Sequence, residues 1–272
     1  MKPLTIDEVK KSELETLVIF RNFCEKHGLR YYLAFGTLLG AVRHRGYIPW
    51  DDDVDVQMPR EDYDFFVAHF NEEAVDHRSV LAKENCPDFY VNFAKVVDDR
   101  TVMREEEGTM DVGVWIDIFP LEYMVDNERR YRRLNKLYKD LFWMDHRRTL
   151  QFKKGRVWYK NLLLPAFRLL CPSHERVDAM RARCVRRMRA AGKSETYGLL
   201  HRDYQIWGVP VFQKADYEPS DRLEFEGELF DVPGNYDRIL RKIYKNYMEL
   251  PPPEKRVSHH KYVCYWKESA AL

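Results

Sequence analysis

The run IPWDDDVDV, Ile48–Val56, constrains this chain more than any other. Four aspartates, Asp51, Asp52, Asp53 and Asp55, stand almost together, and Asp53-Val54-Asp55-Val56 alternates acid with β-branched residue. Alternate side chains of a strand share a face. Asp53 and Asp55 are therefore expected to point one way while Val54 and Val56 anchor the other side. Two carboxylates so close repel unless a cation or proton lies between them. Hard oxygen ligands suit Mg²⁺ or Mn²⁺ better than zinc, and such ions usually work on phosphate. No glycine and bidentate glutamate follow at EF-hand spacing, which argues against a calcium loop. A solvated acidic edge is the remaining alternative.

The preceding residues sharpen this reading. Tyr31–Phe35 is aromatic and apolar enough for a buried strand ending at Gly36-Thr37, and Leu38–His44 has the composition of a short helix. A glycine between strand end and helix start lets backbone N–H groups approach an anion, which the helix dipole also favours. The arrangement predicts phosphate-gripping amides at Gly36 and Thr37 beside a metal site. A Gly-Thr turn alone is usually only a turn.

The stretch FGTLLGAVRHRGYIPWDDDVDVQMPR, Phe35–Arg60, resembles the signature of the LicD family, phosphocholine transferases of bacterial surface glycans, and is more distantly similar to fukutin. A second matching block comprises Tyr247–Pro252, Arg256–His260 and Tyr265–Lys267. The resemblance implies a nucleotidyltransferase-like fold. It also implies transfer of a phospho-alcohol from a CDP-activated donor to a sugar hydroxyl, the donor being CDP-choline. A third carboxylate is expected from a later strand, and Asp117 is the candidate. Val112–Phe119 reads as a strand closed by Pro120, with Asp117 its only charge. An unpaired charge there is costly to bury, which a shared metal or a basic partner would relieve.

The fold class expected is α/β (α+β): a nucleotidyltransferase-like mixed-sheet core with a helical insertion. Residues 1–125 form the catalytic core, 126–195 a basic helical insertion, and 196–272 a hairpin and helix completing the site. Thr5 and Glu8 make a capping box for a helix reaching Lys26, with Leu4 and Val9 as a staple. A helix is expected over Arg60–Phe70 and strands near Tyr90–Val97 and Val112–Phe119. A helical pattern follows from Asn127 to Ala191, broken at Gly155, Pro165 and Cys171-Pro172. Leu223–Pro233 alternates around Gly227, a hairpin signal, and a helix runs from Asn235 to Tyr247. The five cysteines are scattered without C-x-x-C pairs, so neither a disulfide framework nor a zinc site is indicated. No apolar run approaches the ~20 residues that span a bilayer, and Met1–Glu8 holds no signal-peptide h-region. A cytoplasmic protein is expected, acting in the cytosol or at the inner face of the membrane.

The net charge of +1 is unevenly spread: residues 146–190 hold thirteen Lys/Arg against Glu175 and Asp178. Basic residues around the aromatic, apolar stretch Val157–Leu170 mark a candidate contact with anionic lipid or polyanionic glycan. The alternative is an ordinary helix pair with a basic outer face. No nucleic-acid-binding motif accompanies the charge.

Further candidates are weaker. Lys95 and Arg100, flanking Asp98-Asp99, could neutralise donor phosphates or be solvated strand-end charges. Arg43 and His44 lie in the signature, as substrate contacts or braces for the acidic loop. Arg256, His259 and His260 lie in the second block, where a histidine could accept a proton. A quaternary ammonium group favours aromatic faces, and Trp50, Trp115, Trp207, Tyr90, Tyr265 and Trp266 are available, Trp266 being the ring assigned to the donor.

The reading that follows is a phosphotransferase. Asp53, Asp55 and Asp117 hold Mg²⁺ or Mn²⁺, and an acid, His259 or His260 deprotonates a glycan or lipid-linked sugar acceptor. A metal-dependent glycosyltransferase would also use an acid-x-acid motif, but normally after a larger nucleotide-binding domain than about fifty residues allow. A non-catalytic glycan-binding scaffold would be expected to lose an acid, and this chain keeps all of them.

Overall fold

A computed structural model describes residues 3–73, 76–87, 89, 91–105, 112–149, 172–190, 193–199, 211–257 and 262–267. The chain divides into two compact units, Met1–Leu121 with Gln213–Leu272, and Glu122–Phe212.

The first unit begins with helix α1, Ile6–His27, whose start follows the expected capping box: Thr5 and Glu8 exchange side-chain-to-backbone bonds. Gly28, left-handed at φ 65°, ends it. Buried Val9, Ser12, Glu13, Thr16, Leu17, Phe20, Phe23 and Cys24 recur every three or four residues, so one stripe faces the sheet. Val9 packs with Met103, Val114 and Cys264. The stripe carries a polar seam as well. Ser12 Oγ donates to Asp98 Oδ2 at 2.8 Å, and Thr16 Oγ1 accepts from Arg78 Nε at 2.8 Å.

The sheet runs β1-β2-β5-β4-β10, with β3 also on β4. These strands are β1 Tyr32–Leu33, β2 Asp55–Pro59, β3 Arg78–Leu81, β4 Ala94–Glu105, β5 Val112–Tyr123 and β10 Tyr262–Trp266. Only β2 and β5 are parallel in this set, so the sheet is mixed and the fold α+β, as expected. Val114, Ile116 and Ile118 are fully buried on one face of β5, while Trp115 and Asp117 on the other stay partly open.

Two boundaries around the acidic run and Asp117 differ from the sequence reading. The strand at Tyr31–Phe35 is only β1, because helix α2, Phe35–His44, already starts at Phe35. Gly36 and Thr37 thus lie inside the helix's first turn, and Phe35 carries the strained φ of 44° at the junction. Pro120 does not close β5. Pairing with β4 stops at Ala94↔Ile118, and Asp117 N–H points to β2, so the position of Pro120 N faces an edge that β4 has already left.

Helix α3, Arg60–His69, follows β2 directly. Strands β8, Asp221–Phe225, and β9, Glu228–Val232, form the expected hairpin around Glu226-Gly227, both at positive φ, as a tight primed turn requires.

The second unit pairs α4, Glu128–Thr149, with α5, His174–Met188, around buried Met124, Tyr131, Tyr138, Leu141, Val177, Cys184 and Met188. Two short strands, β6 Thr196–Gly198 and β7 Val211–Gln213, extend from the tail of β5. The basic apolar stretch Val157–Leu170 lies outside the described residues. The first unit closes with α6, Tyr236–Tyr244, shorter than the expected helix.

Candidate functional site

The register of three strands assembles a row of charge. Asp55 on β2 lies opposite Asp117 on β5, which lies opposite Lys95 on β4. Residues directly opposite in neighbouring strands share a face, so all three side chains project together. Lys95 Nζ donates to Asp117 Oδ1 at 2.8 Å and stands 3.8 Å from the Trp115 ring centroid and 5.4 Å from that of Phe93. Lys95 is only 3% exposed, so the carboxylate and ring faces replace the water its ammonium has lost. The basic partner weighed for Asp117 is thus present, on the face that Asp117 shares with Asp55.

Asp55, itself 3% exposed, is positioned through its backbone. Its N–H donates to Thr37 Oγ1 at 2.8 Å, and its carbonyl accepts from Ala34 N–H at 2.9 Å. Val54 and Val56 anchor the opposite side at 1% and 0% exposure. The Thr37 oxygen thus holds Asp55 through its backbone. Gly36 is required by a close approach: a Cβ there would lie 2.5 Å from Asp51 Oδ2. The anion beside the first turn of α2, where the sequence suggested a phosphate, is here a carboxylate of the chain itself.

Asp53 precedes β2 rather than lying on it. Its charge is felt by Glu13 of α1, 2% exposed, whose carboxyl is pushed well above its usual range by burial and then by the charge of Asp53. Tyr47 Oη lies 3.1 Å from both Glu13 Oε2 and the Lys10 carbonyl. A protonated Glu13 satisfies both contacts, donating to the phenol, which then donates to the carbonyl.

Among the described residues no group of three His, Cys, Asp or Glu converges closely enough to hold a metal. Two carboxylates, Asp55 and Asp117, do face one another. Mg²⁺ is commonly held by one or two carboxylates with substrate phosphates completing its shell, so this donor pair fits a hard divalent cation shared with a phosphorylated substrate.

The signature's basic residues meet the second block. Arg43 Nη1 donates to the Tyr247 carbonyl at 2.8 Å, and Arg43 Nε donates to His44 Nε2 at 2.9 Å. The His44 and Trp50 rings lie 6.4 Å apart, and the Arg256 guanidinium carbon stands 5.5 Å from the Trp50 centroid. Burial and then Arg43's charge push the His44 imidazole below its ordinary range, consistent with a neutral ring accepting from Arg43.

Other candidates are placed elsewhere. Arg100 is neither a solvated charge nor open to a ligand through its fork: Nε and Nη2 clasp fully buried Asp98 at 2.9 and 2.7 Å. Burial alone would raise the Asp98 carboxyl, but Arg100's hydrogen bonds, the charge of Arg78 and the Ser12 hydroxyl hold it below its usual range. Trp266 pairs in register with Thr101, six residues along β4 from Lys95, or roughly 20 Å at ~3.3 Å per residue. Its ring is met by Arg100 at 5.8 Å. His259, His260, Tyr90 and Trp207 lie outside the described residues.

Glu13, Tyr47 and Glu226 were not singled out by sequence. Glu226 Oε1 accepts from Tyr47 N–H at 3.0 Å, and its own N–H donates to the Arg45 carbonyl at 2.9 Å. A carboxylate within a helix's apolar stripe, as at Glu13, is the one signal that could have been read.

Comparison with known proteins bears on this geometry. A family model described as LicD/FKTN/FKRP, nucleotidyltransferase domain, matches residues 28–165. The chain is 30% identical to the lipopolysaccharide cholinephosphotransferase LicD of Haemophilus influenzae over 264 residues, covering 96% of this chain and 97% of that protein. It is also 31% identical over 135 residues to the ribitol 5-phosphate transferases FKRP of Mus musculus and Homo sapiens, covering 47% of this chain and 22% of each of theirs.

Proposed function

The chain belongs to the LicD family, and from that premise we propose that it transfers a phospho-alcohol, phosphocholine from CDP-choline, to a hydroxyl of a glycan or lipid-linked sugar. The single observation that carries the reading is the Asp55–Asp117–Lys95 row on one face of three adjacent strands. It presents two carboxylates and a cation at a partly open sheet face beside the signature loop.

Asp55 and Asp117 are the residues that would hold Mg²⁺ or Mn²⁺, with Asp53 entering from the lead-in to β2. When bound, such an ion supplies charge neutralisation on the donor diphosphate and the departing CMP. The chain's own residues do the rest. Thr37 fixes the Asp55 backbone, and Lys95 balances Asp117. The acceptor oxygen forms a bond to the phosphorus that bears the alcohol, and the bond from that phosphorus to the CMP oxygen breaks. The acceptor proton passes to a base, for which Asp53, His259 and His260 are the candidates. A choline headgroup over an aromatic face would gain roughly 0.5–2 kcal/mol, and the Trp115 ring beside the row is already taken by the Lys95 ammonium.

The test is incubation with Mg²⁺, a sugar acceptor and a panel of CDP-choline, CDP-ribitol, CDP-glycerol and nucleotide sugars. CMP release fastest from CDP-choline is expected. Faster turnover of CDP-ribitol or CDP-glycerol would remove choline but keep phospho-alcohol transfer; nucleoside diphosphate release from a nucleotide sugar would replace the reading with glycosyl transfer.

A further inference from the structure

We propose that Arg43 and Arg256 form an anion subsite beside the Trp50–Asp53 loop, taking a phosphate group of the substrate. The identity of that phosphate rests on the transferase reading; the subsite itself does not.

The argument begins with what orients each guanidinium. Arg43 is held by the Tyr247 carbonyl and the His44 ring, and Arg256 by the Pro251 carbonyl, at 2.8 Å from Nε, and the Trp50 face. Every one of these partners is neutral. They fix direction without cancelling charge, and among the described residues neither arginine has an Asp or Glu within ion-pair distance. Arg43 Nη2 and both terminal nitrogens of Arg256 carry no bond to the protein there.

Other buried or half-buried cations of this unit differ. Arg78 and Arg100 share Asp98, Arg30 meets Glu61, Asp62 and Glu218, and Lys95 meets Asp117. Arg43 and Arg256 instead converge on Trp50, whose ring stands 6.4 Å from that of Arg43's partner His44 and 5.5 Å from the Arg256 guanidinium carbon; consistently, burial and then the charge of Arg256 push Arg43 below its ordinary value. Two like charges in mutual reach, each aimed by neutral acceptors, repel until an anion lies between them. The two terminal nitrogens of Arg256 form a planar fork that matches phosphate oxygens bidentately, and Arg43 Nη2 adds a further charged donor, which makes phosphate the anion of choice. The source is either the diphosphate of a nucleotide donor or a phosphate on the acceptor glycan.

The experiment titrates CMP, inorganic pyrophosphate and cytidine into the full chain and into R43Q, R256Q, R256K and, as a remote control, R222Q. Folding is checked by circular dichroism and thermal melting. Pyrophosphate and CMP should bind about tenfold or more weakly to R43Q and R256Q, with R256K between and R222Q like wild type. Cytidine should bind all variants alike. In turnover, a raised donor KM assigns the phosphate to the donor; a raised acceptor KM with the donor KM unchanged assigns it to a phosphorylated acceptor. The proposal is overturned if folded R43Q and R256Q bind pyrophosphate and CMP as wild type does and neither KM moves. Arginine-dependent pyrophosphate binding in a chain that turns over no CDP-alcohol would sustain the subsite while rejecting the transferase reading.

Discussion

Lys95 makes Asp117 costly to remove, because the two form a pair with little access to water. Both D55N and D117N should lower kcat by roughly 10²-fold or more, the scale of losing a group that stabilises transition-state charge. D117N also leaves a 3%-exposed ammonium without its carboxylate, which costs about 3 kcal/mol when a buried pair is broken one-sidedly. Urea melts check this, and K95M/D117N should recover most of the loss; D117N as stable as wild type would contradict the row as described. Glu13 gives a pH signature. Its raised folded value means the unfolded chain releases the proton first, so wild-type stability falls as pH climbs from ~4.5 toward that value, by about 1.4 kcal/mol per pH unit. Glu13→Gln keeps a neutral partner for Tyr47 and lacks this loss. Its stability advantage in chelator buffer should therefore grow from pH 5 to pH 8; a difference that stays flat with pH would refute the protonated Glu13.

The hairpin of β8 and β9 does more than cover the sheet: its turn clamps the segment leading into the aspartate loop. Glu226 bonds both Arg45 and Tyr47, Phe225 packs edge-on to Tyr47 at 4.9 Å, and a Cβ on Gly46 would lie 2.1 Å from Glu226 Oε1. Gly46→Ala must therefore push the Glu226 side chain away. We expect G46A and E226A each to reduce kcat several-fold at near-unchanged donor KM, with E226Q close to wild type because its amide oxygen still accepts from Tyr47. The G46A/E226A double variant should be no worse than either single one, since both break the same clamp; additive losses would disprove it. Such long-range grips explain what the sequence could and could not show. The α1 cap and the Glu226-Gly227 hairpin rest on local chemistry and were readable directly. So was the need of Asp117 for a partner, metal or base, because a lone acid in an apolar strand is costly to bury unpaired. Lys95 as that partner depends on strand register. The length of β1 and the continuation of β5 through Pro120 depend on which neighbouring strand has already ended, which no local pattern encodes.

At the scale of the whole chain, the basic surplus resolves in part. On α5, exposed Arg176, Arg183, Arg186 and Arg187 stand opposite buried Val177, Cys184 and Met188. That is the pattern of a packed helix with a solvated basic face. No helix among the described residues is long and apolar enough to cross a membrane. What unites the chain is the claim that its sheet face works on an activated phosphate. The most direct measurement follows a reaction of CDP-choline with a sugar acceptor by ³¹P NMR, comparing wild type, wild type with excess chelator, and D55N. A CMP monoester signal and a new phosphodiester signal should rise together for wild type alone. Diphosphate consumption undiminished in D55N would contradict the account.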